Sequence, residues 1–469
     1  MRILFIFPTA SDKYTFVDFH HGIAQLSACL KQAGHDTKLY QTSRFSPNDI
    51  DRVIKTYEPG FLAYSFTSDF FPLAQSYAEY LASKKIFSIA GGVHPTLAPE
   101  DVVDFFDCVC VGEGEQTLLD IVDGKPLDEI PNLVCRVDGQ IVKNPIQPLL
   151  ENLDQLPFPD RELFHFQHAL DQDHRADFMV GRGCPYRCTY CINNQMIHLA
   201  PGKYVRLRSV SNVLAEIKQV LADYQHIESV CFQDDTFAIN RKWLIEFCGR
   251  YKEEIGLPFV CNLRTDRTDE EIVTLLANAG CQEVRIGVEQ GNEELRRTVM
   301  KRKMSNVQII AAFKLLHKAG IKTFAYNMIG IPGETEQTVQ ETIALNRTIK
   351  PNKMHISIFR PYPGTELYDF CHREGYIRDV SIESYFQPVS TVDLPSMSKK
   401  KIEYWYRLFR PAVYFPWFLP LFKILIRIKV GKDKTIYDAM FNFAYALFRF
   451  VQRRVPRWLK EPLLRLMKA

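Results

Sequence analysis

From residue 1 to about 125, short apolar runs rich in β-branched and aromatic residues alternate with amphipathic helical stretches. The runs are RILFIF at 2–7, DTKLYQ, FLAYSF at 61–66, FSIAGG at 87–92 and CVCVGEG at 108–114, with GIAQLSACLKQAG ending at Gly34 between the first two. Such alternation predicts a parallel, doubly wound, Rossmann-like sheet, whose ligands sit outside the carboxyl ends of the strands. Three predicted strand ends carry small or polar loops along one rim: Thr67-Ser68-Asp69, then Gly91 and Gly92 running to His94 and Thr96, then Gly112-Glu113-Gly114-Glu115.

The pattern loosens from about 126 to 176, where Pro145, Pro148, Pro157 and Pro159 punctuate a stretch without sustained periodicity, predicting a linker with a small ordered insert. A second series follows at FMVGRG (178–183), SVCFQDD (229–235), PFVCNLR (258–264), EVRIGVEQG (283–291), KTFAYNMIG (322–330) and MHISIFR (354–360). Six successive strand–helix units predict a partial (β/α)6 barrel, with chemistry at the C-terminal ends of its strands. Polar motifs stand at those ends, and two helices open with expected capping boxes, Thr268 with Glu271 and Ser305 with Gln308. The expected organisation is therefore 1–140, α/β; 141–176, linker; 177–375, barrel; and 376–469, a C-terminal helical region.

Composition changes the picture in one place. The 469 residues are 46% hydrophobic and 24% charged, as in packed globular proteins. No apolar run approaches about 18 residues and no cleavage site follows the N-terminal run, so neither secretion nor a spanning helix is expected. Residues 399–469, however, hold 17 Lys/Arg against 4 Asp/Glu, leaving 41 basic and 51 acidic residues upstream. That basic tail also carries 16 aromatics between 401 and 469, including Trp405, Trp417 and Trp458. Its two apolar segments, 411–429 and 439–468, fit either a helical cap on the barrel mouth or an amphipathic segment lying on a lipid surface. Large apolar residues interleaved with the charge, without an RNA-binding motif, disfavour nucleic acid.

The candidate chemistry is the C-x3-C-x2-C of Cys184, Cys188 and Cys191 in GRGCPYRCTYCINN, after the first barrel strand. Twelve cysteines fit metal ligands in a reducing cytoplasm better than a disulfide framework. Thiolates suit iron–sulfur clusters or zinc. A three-cysteine set leaves either an iron open to a ligand or a zinc completed by a distant Cys or His. The other nine cysteines read as small hydrophobes packed in strands and helices, with no auxiliary cluster.

This motif, with Tyr190 before its last cysteine at the start of a βα barrel, resembles the radical S-adenosylmethionine (SAM) superfamily over about 178–370. The resemblance implies a [4Fe–4S] cluster on Cys184, Cys188 and Cys191, whose unique iron chelates SAM, and one-electron cleavage of SAM to a 5′-deoxyadenosyl radical. It carries SAM contacts onto Tyr190, onto Asp234 and Asp235 in FQDDTF, onto Arg264, Glu289 and Gln290, and onto Ile331 and Pro332 in GIPGE. Read alone, Asp234 and Asp235 could cap a helix, Arg264 could be a surface ion pair, and the glycines could be turn residues.

The N-terminal sheet is similar to the cobalamin-binding domain of the B12-dependent branch of that superfamily. The similarity implies a corrinoid between this domain and the barrel, contacted by Thr67, Ser68, Gly91, Gly92, His94, Gly112, Gly114 and Glu115. No Asp-x-His-x-x-Gly segment is present, so cobalamin without a protein histidine on cobalt is expected. His94 is the nearest candidate, as a ligand contact or a turn hydrogen bond. His20 and His21 read as a solvated pair at a helix start.

The leading expectation is a cytoplasmic enzyme, peripheral to the membrane if its tail meets lipid, that transfers a methyl group from methylcobalamin to an unactivated carbon of a hydrophobic small molecule. A flavodoxin- or ferredoxin-type reductase would supply electrons. Radical cyclisation or rearrangement without methyl transfer is the alternative, and a non-catalytic iron–sulfur or corrinoid carrier is the alternative of another class. FRPYPGT (359–365) adds a hint of a large apolar substrate.

Overall fold

The computed structural model describes residues 1–10, 19–377 and 389–428; the expected amphipathic segment at 439–468 lies outside them. The first sheet contains β1 (Arg2–Pro8), β2 (Asp36–Thr42), β3 (Phe61–Ser65), β4 (Phe87–Gly91) and β5 (Cys108–Cys110), all parallel in the order β2-β1-β3-β4-β5. The strands are almost wholly buried because helices cover both faces, and this splits the apolar side chains into two cores. The order in which successive strands are added reverses between β1 and β3, the switch point at which such sheets bind ligands.

Two features of this unit depart from expectation. An antiparallel pair, β6 (Leu133–Val137) and β7 (Gln140–Lys143), extends the sheet beyond β5, so part of the loosely patterned stretch belongs to the first sheet. Across β5 and β6, Cys108 and Cys135 are directly paired in register and form a disulfide. The expectation that both were merely small hydrophobes is corrected by that register, which no spacing rule could reveal. Cys110 stays a free, buried thiol.

The second sheet has six parallel strands in the order β8-β11-β12-β13-β14-β15: β8 (Arg175–Phe178), β11 (Ser229–Phe232), β12 (Phe259–Leu263), β13 (Cys281–Glu289), β14 (Lys322–Ile329) and β15 (Lys353–Ile358). It is an open half-barrel. The first strand ends earlier than its apolar run, at Phe178, because β9 (Gly181–Arg182) turns aside to pair antiparallel with β10 (Arg206–Leu207). On β13, Val284, Ile286 and Val288 pack outward into the helices, while Arg285, Gly287 and Glu289 face the hollow of the sheet.

The helix starts follow capping chemistry. Ser305 and Gln308 form the expected capping box, and Thr335 with Thr338 forms another. The box expected at Thr268 is displaced by one residue: Asp269 caps, accepting from the Ile272 amide, while Thr268 donates to the Arg264 carbonyl. The helix Lys399–Tyr414 buries Ile402, Trp405, Leu408 and Phe409 against β15 and the helix Glu336–Ile349, closing the open edge of the half-barrel. Among the described residues, no helix is long and apolar enough to cross a membrane.

One glycine marks how tightly sheet and helices meet. A Cβ on Gly291, just past β13, would stand 2.4 Å from the Thr342 Cα and 2.5 Å from the Glu341 carbonyl oxygen, both helix backbone. Gly291→Ala is expected to cost roughly 1–3 kcal/mol, as overpacking does, read as a lower denaturant midpoint with an unchanged m-value.

Candidate active site

The cysteine loop begins where β8 ends, and a carboxylate holds its entry in place. Asp234, at the end of β11, is 7% exposed and accepts the amides of Val180 (2.9 Å) and Gly181 (2.8 Å). Burial pushes its acid up to about 7 despite those amides. Both oxygens are thus committed to the backbone ahead of Cys184. Its neighbour Asp235 accepts from Asn193 Nδ2 at 2.9 Å, and the same amide nitrogen lies 3.5 Å from Cys191 Sγ. The FQDDTF motif therefore divides its labour: Asp234 anchors the loop, and Asp235 faces the sulfurs.

Two guanidinium groups converge on one cysteine. Arg264 Nη1 is 3.8 Å and Arg302 Nη1 is 3.7 Å from Cys188 Sγ. Arg264 stacks over the Tyr186 ring at 3.5 Å and pairs with Asp266 at 3.1 Å, so the surface reading gives way to a buried side chain. Arg302 also donates to the Tyr190 hydroxyl (3.2 Å) and the Gly287 carbonyl (2.5 Å). Glu289, in left-handed backbone at φ 64°, completes this group, and burial raises its acid above the usual range. Gly287 makes the room: a Cβ there would meet the Glu289 carboxylate and the Arg302 guanidinium.

Such donors suit anionic sulfur. Burial, reinforced by the nearby Asp235 and Cys188, raises the Cys184 thiol and pushes Cys191 up to about 11, so ligation must expel the thiol protons, and N–H groups aimed at the sulfurs favour the deprotonated, metal-bound form. The three thiols and their donors thus fit an iron–sulfur cluster. Among the described residues, no three His, Cys, Asp or Glu side chains are gathered as they would be around one metal ion.

The Gln290 side chain is turned into the structure, and Ile331 and Pro332, expected to meet the ligand through their backbone, have buried side chains. Gln290 is fully buried, donating to Glu334 (2.6 Å) and accepting from the Asn292 amide (3.0 Å) and Thr342. Glu334, its acid pushed up to about 8 by burial, accepts the Gly330 amide. This pair braces the GIPGE turn from behind, with Ile331 in the core and Pro332 buried.

A second site opens between the two sheets. A cavity of about 380 Å³ is lined by Gly92, Gly112, Gly114 and Glu115 from the first sheet, and by Gly181, Gly183 and Tyr204 from the cysteine side. Gly92, at φ 96°, allows close approach, since a Cβ would meet the Phe66 backbone at 3.0 Å. Of the expected corrinoid contacts, Thr67, Ser68, Gly91 and His94 do not line it. His94 is 3% exposed, bonded to Ser68 Oγ at 3.0 Å and packed on the Phe71 ring, because the turn after β4 carries it into the aromatic core. His20 and His21 do line the cavity, which corrects their reading as a solvated pair. His20 caps its helix, and burial pushes both rings down, to about 4 and about 3.

Ion pairs tie the two units together at this cavity. Arg182, two residues before Cys184, bridges Glu113 (2.9 Å) and Glu115 (2.5 Å), and the buried Arg206 binds Glu113 at 2.6 Å. On the opposite flank, Asp69 accepts from Arg360 (2.7 Å) and Tyr362 (2.8 Å), so FRPYPGT serves as an interdomain clasp. Arg302, Asn193, Tyr204 and these pairs were not legible in the sequence. A basic KRK run and an Asn-Asn pair carry no local signal of burial.

Two family models match this architecture: one described as the radical SAM superfamily over residues 178–345, the other as a B12 binding domain over 15–122. The chain is a radical SAM enzyme with a B12-binding domain. This radical SAM chain is 27% identical to an uncharacterised methyltransferase of Pyrococcus horikoshii, over 81% of its length and 83% of that protein. It is 24% identical to the anaerobic magnesium-protoporphyrin IX monomethyl ester cyclase of Rubrivivax gelatinosus, over 84% of this chain and 74% of that one. Its fold matches that of TsrM, a radical SAM methyltransferase from Kitasatospora setae whose structure holds cobalamin and a [4Fe–4S] cluster, with a TM-score of 0.65 and 17% identity over 80% of this chain and 76% of that one. A radical SAM domain implies a [4Fe–4S] cluster and SAM, and the B12-binding domain implies cobalamin.

The two aspartates give opposite expectations. Asp234→Asn turns an amide N–H toward backbone N–H groups, costing about 1–3 kcal/mol and lowering iron content after reconstitution. Asp235→Asn keeps stability and iron near wild type but weakens SAM binding. Melting curves, iron assay and SAM titration of the two proteins read this contrast.

Proposed function

We propose that this enzyme transfers a methyl group from a corrinoid to an unactivated carbon of a small, largely apolar molecule. The observation that carries the reading is the shared cavity: the glycine-lined strand ends of the B12-type unit and the loop that holds the cysteines form its two walls. When bound, the cluster and SAM supply a 5′-deoxyadenosyl radical that abstracts hydrogen, and the corrinoid supplies the methyl group. Cys184, Cys188 and Cys191 hold the cluster in this reading. Asp235, Tyr190, Glu289, Arg264 and Arg302 orient SAM beside it, and Gly92, Gly112, Gly114 and Glu115 seat the corrinoid. The chain itself excludes water: Tyr204, Met196, Leu199 and Leu149 line the cavity and limit quenching of a radical. The SAM-directed residues gathered beside the cysteines, with Arg264 and Arg302 buried, argue against a mere electron or corrinoid carrier, which needs only one cofactor.

The cyclase relative supports a second reading, ring closure without methyl transfer, in the same architecture. Anaerobic turnover with SAM carrying a deuterated methyl group separates the two. Methyl transfer predicts 5′-deoxyadenosine together with a product heavier by the labelled methyl, whereas cyclisation predicts 5′-deoxyadenosine and no label in product. Absence of 5′-deoxyadenosine across candidate substrates would sink both.

The surface beyond the cap supports lipid contact. After the helix Lys399–Tyr414 the chain exposes Trp417 (89%), Phe418 (57%), Leu421 and Ile424, with Lys423 and Arg427 beside them. Large aromatics flanked by cations suit the headgroup depth of an anionic bilayer. The full chain is expected to sediment with phosphatidylglycerol vesicles, and Trp417→Ala with Phe418→Ala to remain largely in the supernatant. Equal sedimentation of both proteins removes this contact.

A further inference from the structure

The hollow of the half-barrel holds a guanidinium whose buried Nε has no hydrogen-bond partner among the described residues. Arg285 lies on the inner face of β13, two residues before Gly287, whose carbonyl Arg302 takes. Its side chain is 12% exposed, yet it makes no hydrogen bond among the described residues; its nearest ion pair is Glu283 at 3.7 Å, and its buried Nε has no partner. Glu283 is itself held by Lys353 at 2.8 Å. The neighbouring acid, Asp177, is 3% exposed, with one oxygen bound by Gln233 Nε2 at 2.7 Å and the other, Oδ1, left without a hydrogen bond. Buried polar groups in folded proteins are nearly always satisfied, so an unmatched guanidinium on a concave face marks a place where something else supplies the acceptor.

The wall beside Arg285 differs in character. Phe324, Tyr326 and Met328 alternate with buried core positions on β14, facing the same hollow, and the Phe324 and Tyr326 rings lie 4.8 Å apart. A ligand here meets a cation at one point and aromatic and thioether surface over the rest. Guanidinium pairs best with planar or tetrahedral oxyanions, by two parallel hydrogen bonds.

We propose that Arg285 anchors an oxyanion on the substrate, whose remaining apolar body lies along Phe324, Tyr326 and Met328. This rests on the proposed methyl transfer to a small, largely apolar molecule, extends its site into the half-barrel hollow, and refines its class to an amphiphile with one anionic end. Asp177 pairs with Arg175, Oδ1 to Nε at 3.7 Å, and its negative charge also acts on Arg285, opposing an anion bound there.

Calorimetric titration of the reconstituted full chain with octanoate, octylphosphonate and octanol tests it without requiring turnover, so a failed methyl-transfer assay and a failed anchor remain distinguishable. Saturable binding of one or both anions is expected, with octanol weaker, and the stronger anion tells carboxylate from phosphonate-type recognition. Arg285→Gln should weaken the anion about tenfold or more, in keeping with a charged hydrogen bond worth roughly 1.5–3 kcal/mol, and leave octanol unchanged. Asp177→Asn should tighten the anion, and this variant carries the test if Arg285→Gln does not fold. Equal anion binding by wild type and Arg285→Gln, no gain from Asp177→Asn, or anions binding no better than octanol overturns the proposal.

Discussion

The grip of the Asp234 carboxylate on the amides of Val180 and Gly181 sets the position of everything that follows it in the cysteine loop. Three thiolates must meet one cluster, and a loop of eight residues from Cys184 to Cys191 has ample freedom to place them otherwise. A carboxylate buried against two backbone donors is costly to ionise, as its weakened acidity records, but its removal would strand those donors in a dry interior. The loop is thus pinned at its entry by β11. At its far end Asn193 is held between Asp235 and Tyr204, and Thr189 donates to the Val299 carbonyl.

The strand that enters the same loop ties the two units together. Arg182 lies on its entry strand and reaches Glu113 and Glu115, which follow β5 in the B12-binding domain. Partly buried ion pairs of this kind add little net stability, because desolvation offsets attraction, but they are strict about geometry. Their effect is registry: the glycine-lined strand ends and the segments flanking the cysteine loop are held facing one cavity. The Asp69 clasp to Arg360 and Tyr362 fixes the opposite flank, so rotation of one unit on the other is opposed at two separated points.

Charge is distributed with equal economy around the sulfurs. Arg264 and Arg302 both approach Cys188, while Cys191 receives only an amide, so the electrostatic field across the site is uneven. Arg302 is also the partner of Tyr190 and lies beside Glu289, which makes one side chain the junction between Cys188 and those two residues. Deeper in the hollow, Arg285 has no such commitments, and that contrast is what separates a positioning cation from a recognising one.

How much of this was legible beforehand depends on the range of the interaction responsible. Strand and helix alternation, the C-x3-C-x2-C spacing and the polar strand ends are local patterns, and they identified both sheets, the cysteine site and the glycines of the cavity. Capping was local too, though Asp269 took the role expected of Thr268 because both residues can cap and only the backbone path chooses between them. Asp234 and Asp235 are adjacent and chemically alike, and nothing in the sequence says which one turns toward the loop backbone. Arg302, Asn193, the Arg182–Glu113 pairs and the Cys108–Cys135 bridge join residues far apart in the chain. Sequence determined which chemical groups stand at each strand end, since periodicity and composition act over a few residues. Tertiary structure alone decided which of them are buried, paired or left reaching into a cavity, because burial and partnership are set by segments that meet only when the chain is folded.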